Sequence, residues 1–139
     1  MKKEREAQNG EAGSFSADAQ KHAFLGVSYQ ILPRSMLSIM ISGETEQLYQ
    51  MLPGTHPFPG EEYFSWVDEQ GILNSVVEGA VKKVPFPQGT TFEAFPEFIV
   101  AKNQIGSGEK RSLIRFKPGA YAAPLPLEEY DALDKSRML

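Results

Sequence analysis

The chain has 139 residues, which suits one domain and is too short for two ordinary ones. It contains no cysteine, so disulfide bonds, cysteine-ligated zinc or iron–sulfur sites and a thiol nucleophile are excluded. A net charge of −4 argues against a general affinity for nucleic acids or anionic membranes.

Hydropathy along the chain gives no sign of membrane insertion or export. No stretch approaches the roughly 20 apolar residues that a membrane-spanning helix requires. Met1-Lys2-Lys3 begins like a signal peptide, but residues 4–10 are polar where an apolar segment should follow. We therefore expect a soluble, cytoplasmic protein with no membrane partner.

The first 20 residues differ in composition from the rest of the chain. Phe15 is the one large apolar side chain that follows Met1 in this segment. Such a segment cannot bury enough surface to offset the entropy lost on ordering. We predict a disordered N-terminal arm over residues 1–20, free to reach a partner, and a single mostly-β domain over residues 21–139.

Two strands are predicted at the start of the domain. Residues 23–32 are rich in β-branched and aromatic side chains and contain few charges, which is typical of a strand. Pro33 ends this segment. The dense apolar run at residues 35–42 has the length of a strand that is buried on both faces, although its periodicity alone also allows a helix.

Residues 43–52 carry a helical pattern. Acidic residues fall in the first turn, where the positive end of the helix dipole favours them. Leu48, Met51 and Leu52 have the spacing of one apolar helix face, and Pro53 ends the segment. The pattern predicts a short helix over residues 43–52.

The middle of the chain predicts a loop and a meander. Residues 55–60 contain two X-Pro bonds, which hold a loop extended and stiff. Residues 62–68 and 72–77 are expected to form a hairpin around Gly71, whose freedom at positive φ suits a tight turn. A third strand is expected over residues 80–86.

The next segment contains a capping pattern and a second hairpin. Thr90 and Glu93 match a capping box, and Pro96 limits any helix there to one turn. Residues 97–103 and 110–117 are predicted to pair as strands, because apolar and polar residues partly alternate in the second of them.

A helix is predicted over residues 126–136, where Leu127, Tyr130 and Leu133 recur at helical spacing. The elements together predict an α+β fold dominated by β structure. We expect six to eight strands in an antiparallel sheet, sandwich or small barrel, with two short helices. The predicted core comprises Phe24, Leu25, Val27, Leu37, Ile39, Ile41, Leu48, Phe64, Trp66, Ile72, Val76, Phe98, Val100, Leu113, Phe116 and Tyr130.

The stretch over residues 54–64 resembles the metal-binding stretch of cupins, which are small β-barrels with the pattern His-x-His, three or four residues, then Glu. His56 and Glu62 stand at the first His and the Glu of that pattern. Residues 115–119 also resemble the strand-Pro-Gly segment that precedes the site. The resemblance implies a small barrel that binds a small ligand or a metal near His56 and Glu62.

The metal itself is not expected. Phe58 stands where the second His of the cupin pattern would be, so a metal would have at most two protein ligands, fewer than the three of a catalytic zinc site. We predict no cofactor and no metal. The candidate ligand-binding residues are His56, Glu62 and Trp66.

Charge is unevenly distributed between two segments. Residues 61–78 contain acids and no base, whereas residues 102–117 contain one acid, Glu109, among several bases. A bipolar surface suits head-to-tail self-association. The candidate interaction residues are Lys102, Lys110, Arg111, Arg115 and Lys117.

No constellation of catalytic residues is recognisable, so we predict no catalytic residue and do not expect an enzyme. The hypothesis favoured is a non-enzymatic interaction or assembly module whose partner is a protein, including a second copy of the chain. The first alternative is the cupin-like barrel. The second is weak nucleic-acid binding through the basic hairpin at residues 102–117, which the net charge disfavours.

Overall fold

In the part of the chain that the structure describes, three antiparallel sheets of four strands follow one another along the sequence. The computed structural model describes residues 20–22, 26–116 and 120–139. The predicted N-terminal arm therefore lies outside the described residues, except for Gln20.

Each sheet is a meander of consecutive strands. Sheet 1 consists of β1 (Gln20–His22), β2 (Val27–Leu32), β3 (Met36–Ile41) and β4 (Gln47–Gln50). Sheet 2 consists of β5 (Phe58–Pro59), β6 (Phe64–Val67), β7 (Ile72–Val77) and β8 (Ala80–Pro85). Sheet 3 consists of β9 (Thr91–Ala94), β10 (Phe98–Ile105), β11 (Gly108–Arg115) and β12 (Tyr121–Pro124). The helical segments of the described residues are α1 (Leu127–Asp131) and the 3-10 turns Pro33–Ser35 and Lys135–Arg137.

Sheet 2 is the middle layer because both of its faces are apolar. Successive residues of a strand point to opposite faces. Phe64 and Trp66 of β6 therefore pack against Leu37 and Ile39 of sheet 1. The side chain of Val67, the residue after Trp66, packs on the other side, in the core shared with sheet 3.

The outer face of sheet 3 is covered by the C-terminal segment. Val100 and Leu125 are buried there together with Phe95, and Tyr130 of α1 packs against them. Two polar contacts hold the end of the chain in place: Arg137 lies 2.8 Å from Glu97 Oε2, and the Leu139 N–H donates to the Ala94 carbonyl at 2.8 Å.

Sheets 2 and 3 are joined by a clasp that consists of Gly60, Tyr63 and residues 95–96. The Tyr63 hydroxyl, fully buried, donates to the Phe95 carbonyl, and its ring stacks on Phe116 with centroids 4.4 Å apart. Burial raises the pKa of Tyr63, so the phenol stays protonated and keeps donating. The Glu61 N–H donates to the Pro96 carbonyl at 2.7 Å. Because Gly60 has no side chain, its backbone can lie this close to Tyr63 and Pro96.

The β-dominated prediction is confirmed, and two of its details differ. The strand order of every sheet is linear, so no closed barrel forms among the described residues. Twelve strands are present among the described residues, more than the six to eight expected. Gly26, at φ +68°, makes a turn inside the segment that was predicted as one strand from residue 23.

The predicted helix at residues 43–52 is wrong, because residues 47–50 form β4. These residues pair with β3 in the register Met36↔Gln50 to Ile39↔Gln47. Leu48 is 57% exposed, whereas Met51 is 1% exposed and the Tyr49 ring lies 4.7 Å from that of Trp66. Pairing along β3 and burial at every second residue prevailed over the helical spacing.

The capping box at residues 90–93 also misled, because these residues enter β9 and pair with β10. Of the two predicted helices, the C-terminal one is present in a shorter form, as α1 and the following turn. Among the predicted core residues, Leu48 is exposed, and Phe24 and Leu25 lie outside the described residues. The buried members are Val27, Leu37, Ile39, Ile41, Phe64, Trp66, Val76, Val100 and Phe116, and the half-buried ones are Ile72, Phe98, Leu113 and Tyr130.

The clasp predicts a glycine requirement at one position. A Cβ at Gly60 would lie 2.0 Å from Tyr63 Cε1 and 2.6 Å from the Pro96 carbonyl oxygen. We expect Gly60→Ala to lower the free energy of unfolding by about 2–3 kcal/mol, as overpacking does. Urea denaturation measures this change.

Gly108→Ala is the matched control, because its Cβ would meet the Ile105 carbonyl oxygen at an ordinary 3.8 Å. We expect a change within about 0.5 kcal/mol there. Equal losses in the two variants would show that the crowding at Gly60 is not what matters.

Candidate binding groove

An open, mostly apolar groove lies between sheets 2 and 3. One wall is the loop from Leu52 to Pro59, and the other is the start of β9 with Leu139 beside it. Its volume is about 850 Å³, and Val67 also lines it. A smaller hollow of about 260 Å³ shares four of these lining residues and continues toward Gly71. We call the larger hollow the His56 groove.

The loop wall is held in shape by short-range hydrogen bonds. Pro53 and Gly54 make the turn, and Gly54 has a φ of +84°. The Thr55 hydroxyl donates to the Leu52 carbonyl at 2.6 Å, and the Leu52 N–H donates to the Val67 carbonyl at 2.9 Å. The proline-rich loop is therefore tied to sheet 2 at the point where the chain leaves sheet 1.

Three half-buried phenylalanines lie along the groove and the edge of the core beside it. The ring of Phe92 lies 6.4 Å from that of Phe58 across the groove. It also meets Phe86 edge-on, with centroids 5.3 Å apart. Phe58 and Phe92 therefore offer apolar surface from opposite walls to anything that enters the groove.

The predicted ligand-binding residues are placed in three different environments. His56 is exposed and lines the His56 groove. Glu62 lies in a separate hollow of about 220 Å³ together with Glu97 and Arg115. Trp66 is fully buried between sheets 1 and 2. The structure therefore does not bring the three side chains together.

The basic residues of the β10–β11 hairpin are partly engaged within the protein. Lys102 and Arg111 are cross-strand partners, and Lys102 Nζ lies 2.8 Å from Glu93 Oε2. Arg111 Nη1 lies 3.4 Å from Glu109 Oε1. The ring of Tyr130 accepts both cations on its face, at 5.3 Å from Lys102 Nζ and 5.8 Å from Arg111 Cζ.

The other three predicted interaction residues are dispersed. Arg115 is exposed and lies over the ring of Phe98, with Cζ 5.8 Å from the centroid. Lys110 is exposed on the opposite sheet face from Lys102, as its pairing with Asn103 requires. Lys117 lies outside the described residues. Among the described members, the cations do not form one continuous surface.

Hydrogen bonding tunes the carboxyl at the centre of this network. Burial alone would raise the pKa of Glu93, but hydrogen bonds from Lys102 and Tyr130 outweigh it and lower the pKa. The Tyr130 hydroxyl donates to Glu93 Oε1 at 2.9 Å and accepts from Lys102 Nζ at 3.3 Å. The network fastens α1 to sheet 3.

Several residues that line the groove, Phe58, Phe92 and Leu52 among them, were not among the candidate ligand-binding residues. Phe92 was assigned to a helical turn and Leu52 to a helix, so neither was considered for binding. The available signal was the alternation of polar and apolar side chains in Thr91-Phe92-Glu93-Ala94, which is typical of a strand with one buried face.

The described residues contain no group of three or more His, Asp or Glu side chains placed to hold a metal ion. None of their helices has the length and apolar character needed to cross a membrane.

The chain was compared with protein-family models, with curated proteins and with solved structures, and no significant match was found in any of the three comparisons.

The Glu93 network predicts a pH-dependent contribution to stability. Because the pKa of Glu93 is lowered on folding, its ionised form stabilises the fold above its ordinary pKa of 4.5, and this contribution is lost as the pH falls through the lowered value. We expect Glu93→Gln to reduce the free energy of unfolding by about 1 kcal/mol at pH 7. The gap between variant and parent should narrow below about pH 4.5.

Glu109→Gln is the control, because its carboxylate is more exposed and lies 3.9 Å from Lys102 Nζ. It should change stability less at pH 7. Denaturant unfolding from pH 3 to pH 7 measures both variants. A gap for Glu93→Gln that stays constant over this range would contradict the assignment.

Proposed function

We propose that this chain is a non-enzymatic binding module that holds an apolar segment of a partner protein in the His56 groove. The observation on which the proposal rests is the apolar groove between two well-packed sheets, with Phe58 and Phe92 on opposite walls. Its volume of about 850 Å³ lies within the range of ligand-binding clefts. Packing of an apolar side chain against a pair of aromatic rings is a common source of binding energy.

The chemistry of the lining supports binding rather than catalysis. Among the described residues that line the groove, His56 is the one with a titratable side chain. Acid–base catalysis generally depends on a positioned group with a partner that tunes it. Here the imidazole lies at an exposed position, where it is available to donate or accept one hydrogen bond from a bound segment.

Two other functions are alternatives, and the structure supports binding of a small ligand better than binding of nucleic acid. A small apolar ligand would also fit beside His56, as the cupin-like reading implies, and the experiment below separates it from a protein segment. Nucleic-acid binding through the hairpin gains no support from the geometry, because Lys102 and Arg111 already contact Glu93, Glu109 and Tyr130.

Binding is tested on the isotope-labelled protein by two-dimensional NMR. The probe is a pool of capped heptapeptides with Thr at alternate positions and Val, Ile, Leu, Phe or Tyr between them. We expect chemical-shift changes confined to the groove walls around residues 54–59 and 90–92. A panel of medium-chain alcohols and fatty acids is titrated in parallel, and a response to these alone would favour the small-ligand alternative.

Variants of the two walls test which surface binds. We expect Phe92→Ser and Phe58→Ser each to weaken binding of the peptide pool at least about tenfold, because each removes an aromatic contact of about 1.5 kcal/mol or more. Ile105→Ser is the control, since Ile105 is 59% exposed at the far end of the β10–β11 hairpin. Melting temperatures confirm that the variants are folded.

Two results bear on the nature of the partner. Peptide binding that survives both wall variants would place the site elsewhere and overturn the proposal. A dimer seen by light scattering that Phe92→Ser dissociates would identify a second copy of the chain as the partner.

A further inference from the structure

One edge of sheet 3 lies beside the His56 groove, and at one position, Phe92, its outward backbone groups are unused within the described part of the chain. The neighbouring outward positions already bond, Ala94 C=O to Leu139 and Thr90 N–H to Pro87. Among the described residues, β9 pairs with β10 and with no other strand. The Phe95 N–H donates to the Phe98 carbonyl at 2.8 Å, so Phe95 points its backbone groups toward β10. In an antiparallel ladder this direction alternates residue by residue. Glu93 and Thr91 therefore also face β10, whereas Ala94 and Phe92 face away from it.

Leu139 already makes one backbone hydrogen bond to this edge. Its N–H donates to the Ala94 carbonyl at 2.8 Å, which is the bond that an added strand would make. Leu139 also lines the His56 groove beside Phe92. The next outward-facing residue along β9 is Phe92, whose N–H and C=O have no backbone partner among the described residues.

The opposite wall does not compete for these groups. Pro57 and Pro59 have no backbone N–H to offer a bound chain. The groove is therefore asymmetric: β9 supplies backbone hydrogen-bonding groups, and the loop wall supplies apolar contact through Phe58.

We propose that the occupant of the His56 groove is an extended segment of a partner polypeptide that adds to β9 as a further strand next to Leu139. This inference rests on the proposed function and deepens it. A strand presents N–H and C=O groups at every second residue, which matches the outward groups of Phe92. Its alternate apolar side chains then pack in the groove against the Phe92 and Phe58 rings. A small apolar molecule fills the hollow but leaves the edge unpaired.

The test measures hydrogen exchange of single amides with and without the heptapeptide pool described above. Strand addition predicts that exchange of the Phe92 amide slows at least about tenfold on binding. The internal control is the Glu93 amide, which already faces β10 and should not change appreciably. A second pool with the same side chains but N-methylated amides should bind at least about tenfold more weakly, because it cannot form the ladder.

The outcomes separate the inference from the proposed function. Shift changes in the groove without slower exchange at Phe92, or equal binding of the N-methylated pool, would overturn strand addition and leave the binding module intact. Failure of the unmodified pool to bind at all would overturn both.

Discussion

The clasp of Gly60, Tyr63 and residues 95–96 is the contact on which the arrangement of sheets 2 and 3 depends. Within the clasp, the Tyr63 hydroxyl donates a hydrogen bond across the two sheets to the Phe95 carbonyl. The close approach of Gly60 to Pro96 leaves no room for a Cβ. Because the same loop carries Phe58, and Phe95 follows β9 directly, the clasp sets the distance between the two groove walls. The walls of this apolar groove are therefore held in place by the core, and the groove does not depend on a bound molecule to keep its shape.

Polar groups inside the layered core are paired in a way that fixes strand register. Ser65 and Ser75 are fully buried cross-strand partners whose hydroxyls lie 2.7 Å apart. Asn74 donates to Asp68 at 3.0 Å and accepts from Lys83 at 2.6 Å. A slip of one residue would leave the buried side chains of Ser65, Asn74 and Ser75 without these partners, at a cost of about 1–3 kcal/mol each. Register in sheet 2 in turn decides which side chains reach the groove, since it places Val67 on the groove side and Trp66 on the other.

The strand content and the alternation of buried and exposed faces could be predicted from the sequence, but the sheet in which each side chain would be packed could not. The partial alternation predicted over residues 110–117 is an example, because Ile114 and Phe116, two residues apart, are both buried in the core between sheets 2 and 3. Local patterns failed where a neighbouring strand supplied the deciding energy, as at β4 and β9, whose helical signals could not reveal the open edges of β3 and β10. Of the three candidate ligand-binding residues, His56 lines the groove, and it could be proposed from sequence because a stiff proline-rich loop is recognisable locally. Glu62 lies in a separate hollow and Trp66 in the core between sheets 1 and 2, and both placements depend on how the sheets pack in three dimensions.

The edges of sheets 2 and 3 differ in how they are protected against pairing with a further strand, and this difference bears on what the groove could bind. β8 carries Lys82 and Lys83 and ends in Pro85, while β5 is two residues long and ends in Pro59. Charges, prolines and short length are the usual devices that stop an edge from adding a strand. The charge on β9, Glu93, is instead bound to Lys102 and Tyr130 on the far face of sheet 3, so it does not guard the groove side. β9 therefore offers an open position at Phe92 beside an apolar hollow, whereas both outer edges of sheet 2 carry such devices, and this is the arrangement that a strand-accepting site requires.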